Sequence, residues 1–567
     1  MILMKASPQV TLSAQISVQD LQSLADDGVE LVICNRPDDE AADQVSFDVI
    51  QQAAAALGME AVLIAFKTGE MNHQHIESFS QLLSAGKKTH AYCRTGNRSF
   101  CLYAAFHAST GRPEAEITAL SKKFSFDITK IIRPYYARNP TMTDSNAGQP
   151  ASESNQSYDV VIVGAGAGGI SVASSLKNRN SRLSIALIDP AAEHYYQPGW
   201  TMVGGGIFSA ESTKRQTASL IPENVSWVQQ SVVSFAPENN EVELANGGRI
   251  EYSQLIVCPG LKLNWKGVKG LEDALGKNGV TSNYRFDLAP YTWELVQGLR
   301  SGKALFTQPP MPIKCAGAPQ KALYLSCDHW LKSGALKNID VEFFNAGGVL
   351  FGVADYVPAL QSYIEKYKAD VHYMHNLQEI DGENKVAYFK KAGDDGEELV
   401  SREFDMIHVC PPQCAPDFIS DSELSDDAGW LDVNPSTLQH RKFTNVWGLG
   451  DVMNTTNAKT MAAARKQVPV VAENLIDTME GQDMRAAYDG YGSCPLTVER
   501  GKIVLAEFGY GGKVIPTFPT WLLNGKQPTR RAWTLKADIL PSIYWQAMLK
   551  GREWLAAPKP LAEVEAE

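Results

Sequence analysis

Short apolar segments alternate with segments of helical spacing through the first 135 residues. Apolar residues recur at helical intervals over Val18 to Asp27 and over His75 to Ala85, which predicts two helices. Three apolar runs predict strands: VELVICNR at 29–36, AVLIAF at 61–66 and THAYC at 89–93. The third run leads into SFCLYAAFHAS, which is apolar enough for a buried helix. Strands that alternate with helices predict a parallel α/β sheet.

A polar segment separates this unit from a much larger one. Residues 139–157, NPTMTDSNAGQPASESNQS, have almost no apolar content and predict a flexible linker. Six short apolar strands follow in a doubly wound α/β pattern: DVVIVG, SIALID, LIVCPG, KALFTQ, DVEFFNAGG and NVWGLGD. From about residue 515 the chain is rich in Trp, Pro, Leu and basic residues. The predicted divisions are therefore 1–138, 139–157, 158–514 and 515–567.

Composition narrows the class of protein. The chain has 567 residues, of which 44% are hydrophobic and 20% charged, so it is not a mostly disordered chain. Its net charge of −12 argues against a general nucleic-acid binder. The sequence has no apolar run of about 18 residues, so we expect no transmembrane helix, and no signal peptide is evident. The nine cysteines are scattered, without a CxxC pair, which favours thiols in a reducing compartment over disulfides or zinc.

A glycine pattern predicts a dinucleotide site. In YDVVIVGAGAGG, the residues Gly164, Gly166 and Gly169 form GxGxxG between a strand and a helix. These glycines permit a tight turn, a close approach to pyrophosphate and close packing of the helix on the strand. Asp189 ends the next strand, 25 residues after Gly164, where an acid can bind a ribose hydroxyl.

A second glycine element helps to decide which dinucleotide binds. Gly450 and Asp451, in TNVWGLGDVMN, resemble the GxGD of flavoproteins with two dinucleotide folds, in which the Asp meets the flavin ribityl chain. The pairing of the two elements favours FAD. The second half of this unit has Gly347 and Gly348 but no complete fingerprint, which argues against a nicotinamide as the reductant.

At Cys315 the chain resembles the sulfide:quinone oxidoreductases, of the mitochondrial-like bacterial type. The matching pieces run from about residue 158 to 555 and include HYYQPGWTMVGGG, PIKCAGAPQKALYLS, KTMAAARKQ, YDGYGSCPL and LKADILPSIYWQAMLKG. The resemblance implies a monotopic flavoprotein that oxidises sulfide, passes two electrons through FAD to quinone and holds sulfane sulfur on Cys. It also implies that Gln197 and Lys459 contact the cofactor.

The resemblance assigns the redox pair to Cys315 and Cys494. From the residues alone, Lys314 and a helix beginning near Gly317 both favour a thiolate at Cys315. For Cys494 the residues indicate only a loop thiol. Where some members of the family carry a Cys directly after GxGD, this chain has Val452.

Other cysteines and the tail leave alternatives open. Cys410 and Cys414 follow a strand and lie either near the flavin or in a loop without a redox role. The tail interleaves aromatic and aliphatic residues with Lys and Arg and has no spanning run, which suits helices in a membrane interface or a packed helical pair. Its apolar members are Trp521, Leu522, Leu523, Trp533, Leu535, Ile539, Leu540, Ile543, Tyr544, Trp545, Met548 and Leu549.

The N-terminal unit carries its own reactive-thiol motif. In AYCRTGNRSF, four residues separate Cys93 from Arg98 in a turn between a strand and a helix. Successive N–H groups in such a turn form an anion nest that favours a thiolate. The unit resembles a phosphatase-like family also described as beta-lactamase-hydrolase-like or rhodanese-like sulfurtransferase domains. Asp38 and Asp39 are either a phosphatase's general acid or a solvated turn.

Together these features predict a bifunctional enzyme on the cytoplasmic face of a bacterial inner membrane. Sulfide reduces FAD through the cysteine pair, quinone reoxidises it, and sulfur leaves to a small thiol such as glutathione, directly or through Cys93. One alternative is an NAD(P)H:quinone oxidoreductase fused to a Cys-dependent phosphatase. Another is a non-catalytic, membrane-bound redox sensor. A homo-oligomer is compatible with all three predictions.

Overall fold

The computed structural model describes residues 3–132, apart from 8, 39, 42–43, 68–70, 72, 85, 110–113, 125, 127 and 129–130. It also describes residues 156–564, apart from 394–395. The chain divides into two compact units, Met1–Pro150 and Ala151–Glu567. Most of the predicted linker lies outside the described residues. Its last two positions, Gln156 and Ser157, instead begin the first strand of the second unit.

The N-terminal unit is the predicted α/β sheet. Its five strands are, in spatial order, Met4–Lys5, Val10–Ser13, Thr89–Tyr92, Leu31–Cys34 and Glu60–Leu63. All neighbours are parallel except the first pair. The helices are Val18–Asp26, Phe47–Ala56, His73–Ser84, Asn97–Ser109 and Glu114–Phe124. The central strands are fully buried, and separate apolar clusters cover the two faces, as expected of a parallel sheet.

The second unit begins with a sheet built from distant parts of the chain. Its strands run in the order Val225–Val228, Ile185–Ile188, Gln156–Val163, Arg249–Val257, Glu241–Leu244 and Val232–Ala236. Val446–Gly448 also pairs with Arg249–Val257, in parallel register from Leu255 opposite Val446. This pairing brings the GxGD element to the edge where the GxGxxG turn lies.

A second parallel sheet forms the other half of this unit. Its strands are, in order, Val280–Thr281, Met406–His408, Gly302–Gln308, Ile339–Asn345 and Asp370–Tyr373. A three-stranded antiparallel sheet joins it: His375–Asp381, Val386–Gly393 and Gly396–Glu403. The predicted doubly wound α/β fold is confirmed.

The remaining elements complete the layers around these sheets. Two-stranded pairs are Glu193–Tyr195 with Lys214–Gln216, Lys262–Leu263 with Gln413–Cys414, Ala486–Ala487 with Lys559–Pro560, and Gly492–Glu499 with Lys502–Phe508. The α-helices are Ala167–Arg179, Trp200–Gly204, Leu271–Ala274, Leu288–Gly298, Ala318–Ser333, Val357–Tyr367, Asp417–Ser420, Met461–Met479, Arg530–Thr534, Leu540–Gln546 and Leu561–Val564.

Part of the tail packs into the core of the second unit. Tyr544, Trp545, Met548 and Leu549 are buried in the core of the first sheet, so the prediction that they face a membrane is wrong for these four. Their apolar area is already removed from water against the dinucleotide fold.

Other tail residues are exposed. Trp521 is 81% exposed, and Trp554 is 71% exposed. Leu522, Ile539 and Leu555 are also exposed. In the two described ranges, no helix is both long enough and apolar enough to cross a bilayer.

Candidate active site

The predicted glycine turn has a geometry that other residues could not adopt. Gly164 has φ +106°, and a Cβ there would lie 2.6 Å from the carbonyl oxygen of Cys258. A Cβ on Gly169 would lie 1.8 Å from the oxygen of Gly164. Around Gly166, the N-cap of Ala167–Arg179, there is open space instead. The turn therefore leaves room for a pyrophosphate at the start of a helix, where backbone N–H groups favour anions.

Asp189 lies beside this turn, at the end of the neighbouring strand. Its carboxylate accepts hydrogen bonds from the N–H of Ala165 at 2.6 Å and of Ala191 at 2.8 Å. Burial raises the pKa of Asp189, and these two N–H groups oppose the rise. The carboxylate is thus fixed next to the glycine turn, and its role as a ribose ligand stays a prediction.

Asp451 reaches the same edge from the far end of the chain. Leu449, two residues before it, donates its N–H to the oxygen of Val257 at 3.2 Å. Burial raises the pKa of Asp451, and the ammonium groups of Lys459 and Lys314 oppose that rise. The two glycine elements, nearly 300 residues apart, meet as the sequence predicted.

Two lysines line this region. Lys459 Nζ donates to the carbonyl oxygens of Asp451 at 2.8 Å and Met453 at 2.6 Å, and burial lowers its pKa to about 8. Lys314 Nζ donates to Gln197 Oε1 at 2.7 Å. Lys459 therefore contacts Asp451 directly, whereas Gln197 contacts Lys314, whose charge acts on Asp451. The open glycine turn, the two carboxylates and these cations fit the groups of an FAD molecule.

The two predicted redox cysteines are in contact. Cys315 Sγ lies 3.0 Å from Cys494 Sγ, although 179 positions separate them in the chain. Cys315 lies in the turn before Ala318–Ser333 with φ +82°, a left-handed conformation that is rare outside glycine. Cys494 lies on the hairpin strand Gly492–Glu499. A Cβ on Gly317 would lie 2.8 Å from Cys494 Sγ, so the close approach depends on a glycine there.

Two buried lysines surround the thiols, and the sequence analysis missed both roles. Lys321 Nζ donates to Cys315 Sγ at 3.1 Å. Lys536 Nζ donates to the oxygen of Pro495 at 3.2 Å and to Thr497 Oγ1 at 3.0 Å, next to Cys494. Lys321 lies one helical turn after Gly317, a spacing that could have indicated it. Nothing in the sequence linked Lys536 to the hairpin.

These neighbours shift the pKa values of the two thiols in opposite directions. The hydrogen bond from Cys494 lowers the pKa of Cys315 well below its usual value, and the charge of Lys321 lowers it further against the cost of burial. The same thiol contact raises the pKa of Cys494. Burial, and then repulsion from Lys321, lower the pKa of Lys536. Cys315 is therefore the thiol that carries the negative charge when the pair is reduced.

Three other cysteines of this unit lie outside the Cys315–Cys494 contact. Cys410 packs in one apolar cluster with Cys315, and burial raises its pKa to about 12. Cys414 lies on the short strand that pairs with Lys262–Leu263. Cys258 is buried beneath the glycine turn, and burial raises its pKa.

Gly347 and Gly348 lie in the turn after the strand Ile339–Asn345, and the side chain of Asn345 closes that turn. The N–H of Gly347 donates to Asn345 Oδ1 at 2.9 Å, and Asn345 Nδ2 donates to the oxygen of Val349 at 2.8 Å. The turn that corresponds to GxGxxG instead follows Gly302–Gln308 and holds Cys315.

The N-terminal thiol lies in the predicted turn. Cys93 is buried, and its Sγ accepts a hydrogen bond from the N–H of Gly96 at 3.2 Å. Gly96 has φ +87°, which lets the chain turn into the helix Asn97–Ser109. Although burial opposes its charge, contacts with Glu40 and then Cys93 raise the pKa of Arg98.

Glu40, rather than Asp38, is the acid at this loop. Both carboxylate oxygens of Glu40 accept from Arg98, at 2.7 Å each. Asp38 instead accepts from the N–H of Phe47 at 3.0 Å and so holds the start of a helix. Asp39 lies outside the described residues. The structure thus places Asp38 at a helix start, and a general-acid role for Asp38 stays a prediction.

The chain matches known proteins over most of their length. It is 42% identical over 396 residues to "Sulfide:quinone oxidoreductase, mitochondrial" of Dictyostelium discoideum, which covers 69% of this chain and 86% of that protein. The protein of the same name from Mus musculus is 38% identical over 394 residues, 70% of this chain and 87% of that one. The chain belongs to the sulfide:quinone oxidoreductase family.

Two family models match parts of the chain, and one solved structure shares the fold of the second unit. Residues 158–294 match "Pyridine nucleotide-disulphide oxidoreductase", and residues 3–110 match "Beta-lactamase hydrolase-like protein, phosphatase-like domain". The sulfide:quinone oxidoreductase from Aquifex aeolicus has the same fold, with a TM-score of 0.58 at 18% identity over 72% of this chain and 94% of that one. The predicted family, the α/β fold and FAD are confirmed.

Proposed function

We propose that the second unit of this sulfide:quinone oxidoreductase works through the pair Cys315 and Cys494, and that its sulfur passes to a small thiol. The observation that carries the proposal is the 3.0 Å contact between the two sulfur atoms, with Lys321 Nζ 3.1 Å from Cys315. Thiols at this distance need only a small shift to form a disulfide of about 2.05 Å.

The proposed reaction at this pair conserves atoms and electrons. Hydrosulfide attacks Cys494 in the oxidised bridge, forms a persulfide there and releases the Cys315 thiolate. Lys321 stabilises that thiolate, because its ammonium group donates a hydrogen bond to Cys315 Sγ and carries a positive charge. An acceptor thiolate then takes the outer sulfur and leaves a Cys494 thiolate. The chemistry that FAD supplies when bound is the transfer of two electrons from the reduced pair to the quinone.

For the N-terminal unit we propose that Cys93 carries the sulfane sulfur to an acceptor such as glutathione. The proposal is supported by a buried thiol that accepts from the N–H of Gly96 at 3.2 Å. It is also supported by the four-residue spacing between Cys93 and Arg98, which is short for a phosphatase loop. A tether between the units would raise the effective concentration of one thiol at the other.

For the membrane we propose peripheral binding at the cytoplasmic face of a bacterial inner membrane, through Trp521 and its exposed neighbours. Tryptophan beside basic residues suits the interfacial region. We expect Trp521→Ala to reduce cosedimentation with anionic phospholipid vesicles severalfold at an unchanged melting temperature. Trp545, 6% exposed, supplies the contrast, since Trp545→Ala should lower the melting temperature. If the Trp521→Ala variant binds vesicles as well as the parent protein does, Trp521 is not part of a membrane-binding surface.

The first experiment follows the flavin absorbance of the purified protein without oxygen. We expect sulfide to bleach the flavin, a quinone analogue to restore it, and Cys315→Ser or Cys494→Ser to abolish the response. If sulfide has no effect and NADH bleaches the flavin, the nicotinamide alternative replaces the proposal. A flavin that neither reductant changes would indicate the redox sensor.

A second experiment separates sulfur transfer from phosphatase activity in the N-terminal unit. Glutathione persulfide is measured during turnover with sulfide, quinone and glutathione, and aryl phosphate hydrolysis is measured separately. We expect Cys93→Ser to slow persulfide formation. Phosphate hydrolysis that depends on Cys93, without any effect on persulfide, would favour the phosphatase alternative.

A further inference from the structure

The guanidinium of Arg98, beside Cys93, already binds a carboxylate of the protein, that of Glu40. Both terminal nitrogens of Arg98 donate to Glu40, and Nη1 also donates to the oxygen of Phe66 at 2.9 Å. Glu40 Oε2 accepts in addition from Nε of Arg36 at 3.0 Å. The fork of a guanidinium is the part that binds two oxygens of a tetrahedral anion. In Arg98 that fork is occupied by a carboxylate.

The charges of the hydrogen-bonded side chains at this loop therefore balance once Cys93 is ionised, while the exposed Arg94 of the same loop lies outside that group. Arg36 and Arg98 contribute two positive charges, and Glu40 contributes one negative charge. The attacking form of Cys93 is the thiolate, which contributes the second negative charge. A dianion would leave this half-buried group of side chains with two uncompensated negative charges, whereas an alkyl persulfide brings at most one from its sulfur.

The pKa of the carboxylate agrees with this balance. The hydrogen bonds from Arg98 lower the pKa of Glu40, and the guanidinium of Arg36 adds to the effect against burial. Glu40 therefore stays ionised at neutral pH. Its negative charge is a permanent feature of the loop.

A buried hydroxyl follows Arg98 in the chain. Ser99 lies in the first turn of Asn97–Ser109 and is fully buried. Within the described ranges its Oγ has no hydrogen-bond partner. A hydroxyl can donate to a charged or an uncharged ligand alike, so Ser99 does not set the selectivity of the loop.

We propose that Glu40 makes the Cys93 loop selective for sulfur donors without an oxyanion, namely alkyl persulfides, against thiosulfate and phosphate esters. This inference rests on the proposed sulfur-carrying role of Cys93. The thiolate attacks the outer sulfur of the persulfide, the S–S bond of the donor breaks, and an S–S bond to Cys93 forms. The donor leaves as a thiolate that takes a proton from water. No electrons are gained or lost overall.

The test uses the full-length holoenzyme with Cys494→Ser, so that the other unit contributes no sulfur transfer. Cyanide serves as acceptor, and thiocyanate is measured with glutathione persulfide or thiosulfate as donor, after subtraction of the uncatalysed reaction. We expect kcat/KM to favour the persulfide at least about tenfold, and Glu40→Gln to reduce that ratio about tenfold by raising the thiosulfate rate. Glu60→Gln is the matched control, since Glu60 pairs with the exposed Lys87 in the same unit, and its ratio should not change.

A competition experiment covers the case in which Glu40→Gln does not fold. Inorganic phosphate or thiosulfate is added to the Glu40 protein during persulfide-dependent transfer. We expect little inhibition at about ten times the donor concentration, and strong inhibition would overturn the selectivity. If Cys93→Ser instead forms thiocyanate as fast as the parent from both donors, the sulfur-carrying role itself has failed. Equal rates from both donors, lost in Cys93→Ser, would refute the role of Glu40 alone.

Discussion

The two thiol sites differ in what balances the charge on sulfur. Cys315 lies 3.0 Å from a second thiol and 3.1 Å from a buried ammonium group. Cys93 lies beside Arg98, whose charge Glu40 already balances. A paired thiol with an unbalanced cation favours formation and release of a thiolate, which two-electron exchange requires. A thiol whose neighbours are two arginines and one carboxylate can pass a sulfur atom without net oxidation. Under the proposed roles, the second thiol in contact with Cys315 is therefore what separates electron transfer from atom transfer within one chain.

The sharpest way to break this comparison is to exchange each thiol for a hydroxyl. We expect Cys315→Ser to reduce sulfide-dependent quinone reduction by about a thousandfold or more, while Cys93-dependent thiocyanate formation continues. Cys93→Ser should show the reverse pattern. The measurements are quinone absorbance and thiocyanate colour. Loss of both activities in either variant would mean that the sites are not independent.

Gly317→Ala tests whether the close approach of the thiols matters. The new Cβ would lie 2.8 Å from Cys494 Sγ and 2.2 Å from Leu496 Cδ2, so the hairpin must move away from Cys315. We expect flavin reduction by sulfide to slow by about a hundredfold, because misplaced reacting groups cost rates of this order. Gly298→Ala is the control, since a Cβ there meets nothing within 4 Å. An unchanged rate would show that the thiols meet in another arrangement.

Lys321→Met removes the cation from the paired site. The ammonium group lowers the pKa of Cys315, so its loss raises that pKa and leaves less thiolate at pH 7. We expect about a tenfold loss of activity at pH 7 and recovery as the pH rises. Lys332→Met, on the exposed face of the same helix, should keep the parent pH profile. A loss that is the same at every pH would indicate a structural role.

Gly96→Ala is expected to have the smallest effect. A residue other than glycine at φ +87° costs about 1 kcal/mol, and the new Cβ would press on the flexible end of Met4. We expect the unfolding midpoint of the N-terminal unit to fall by a few degrees and Cys93-dependent transfer to fall severalfold. Quinone reduction by sulfide should stay at the parent rate. A loss of quinone reduction would contradict separate folding of the two sites.

Much of the fold was predictable because its signals are local. The GxGxxG turn and the strands around it follow from apolar runs of known period and from glycines that the turn requires. Cys315 was indicated by Lys314 and the helix start near Gly317. The pairing with Cys494 came only from the resemblance, since 179 residues separate the two thiols.

The missed residues act through contacts that leave no local pattern. Lys536 belongs to a tail whose Trp and Tyr residues suggested a membrane, yet its ammonium group lies beside Thr497 of the hairpin. Glu40 follows two aspartates that looked more like catalytic acids, and only the fold shows that it meets Arg98. Burial of charged groups depends on tertiary pairing, which sequence periodicity does not report.

The tail also determines when the protein can be completed during synthesis. Arg179, at the end of the helix that follows the glycine turn, is held by Glu553, 374 residues later in the chain. Ser174 of the same helix donates to the oxygen of Leu549 at 2.7 Å. During synthesis, the helix after the glycine turn leaves the ribosome early, but Leu549 and Glu553 are made only near the end of the chain. A chain that ends before residue 549 would therefore leave Ser174 and Arg179 without these tail partners.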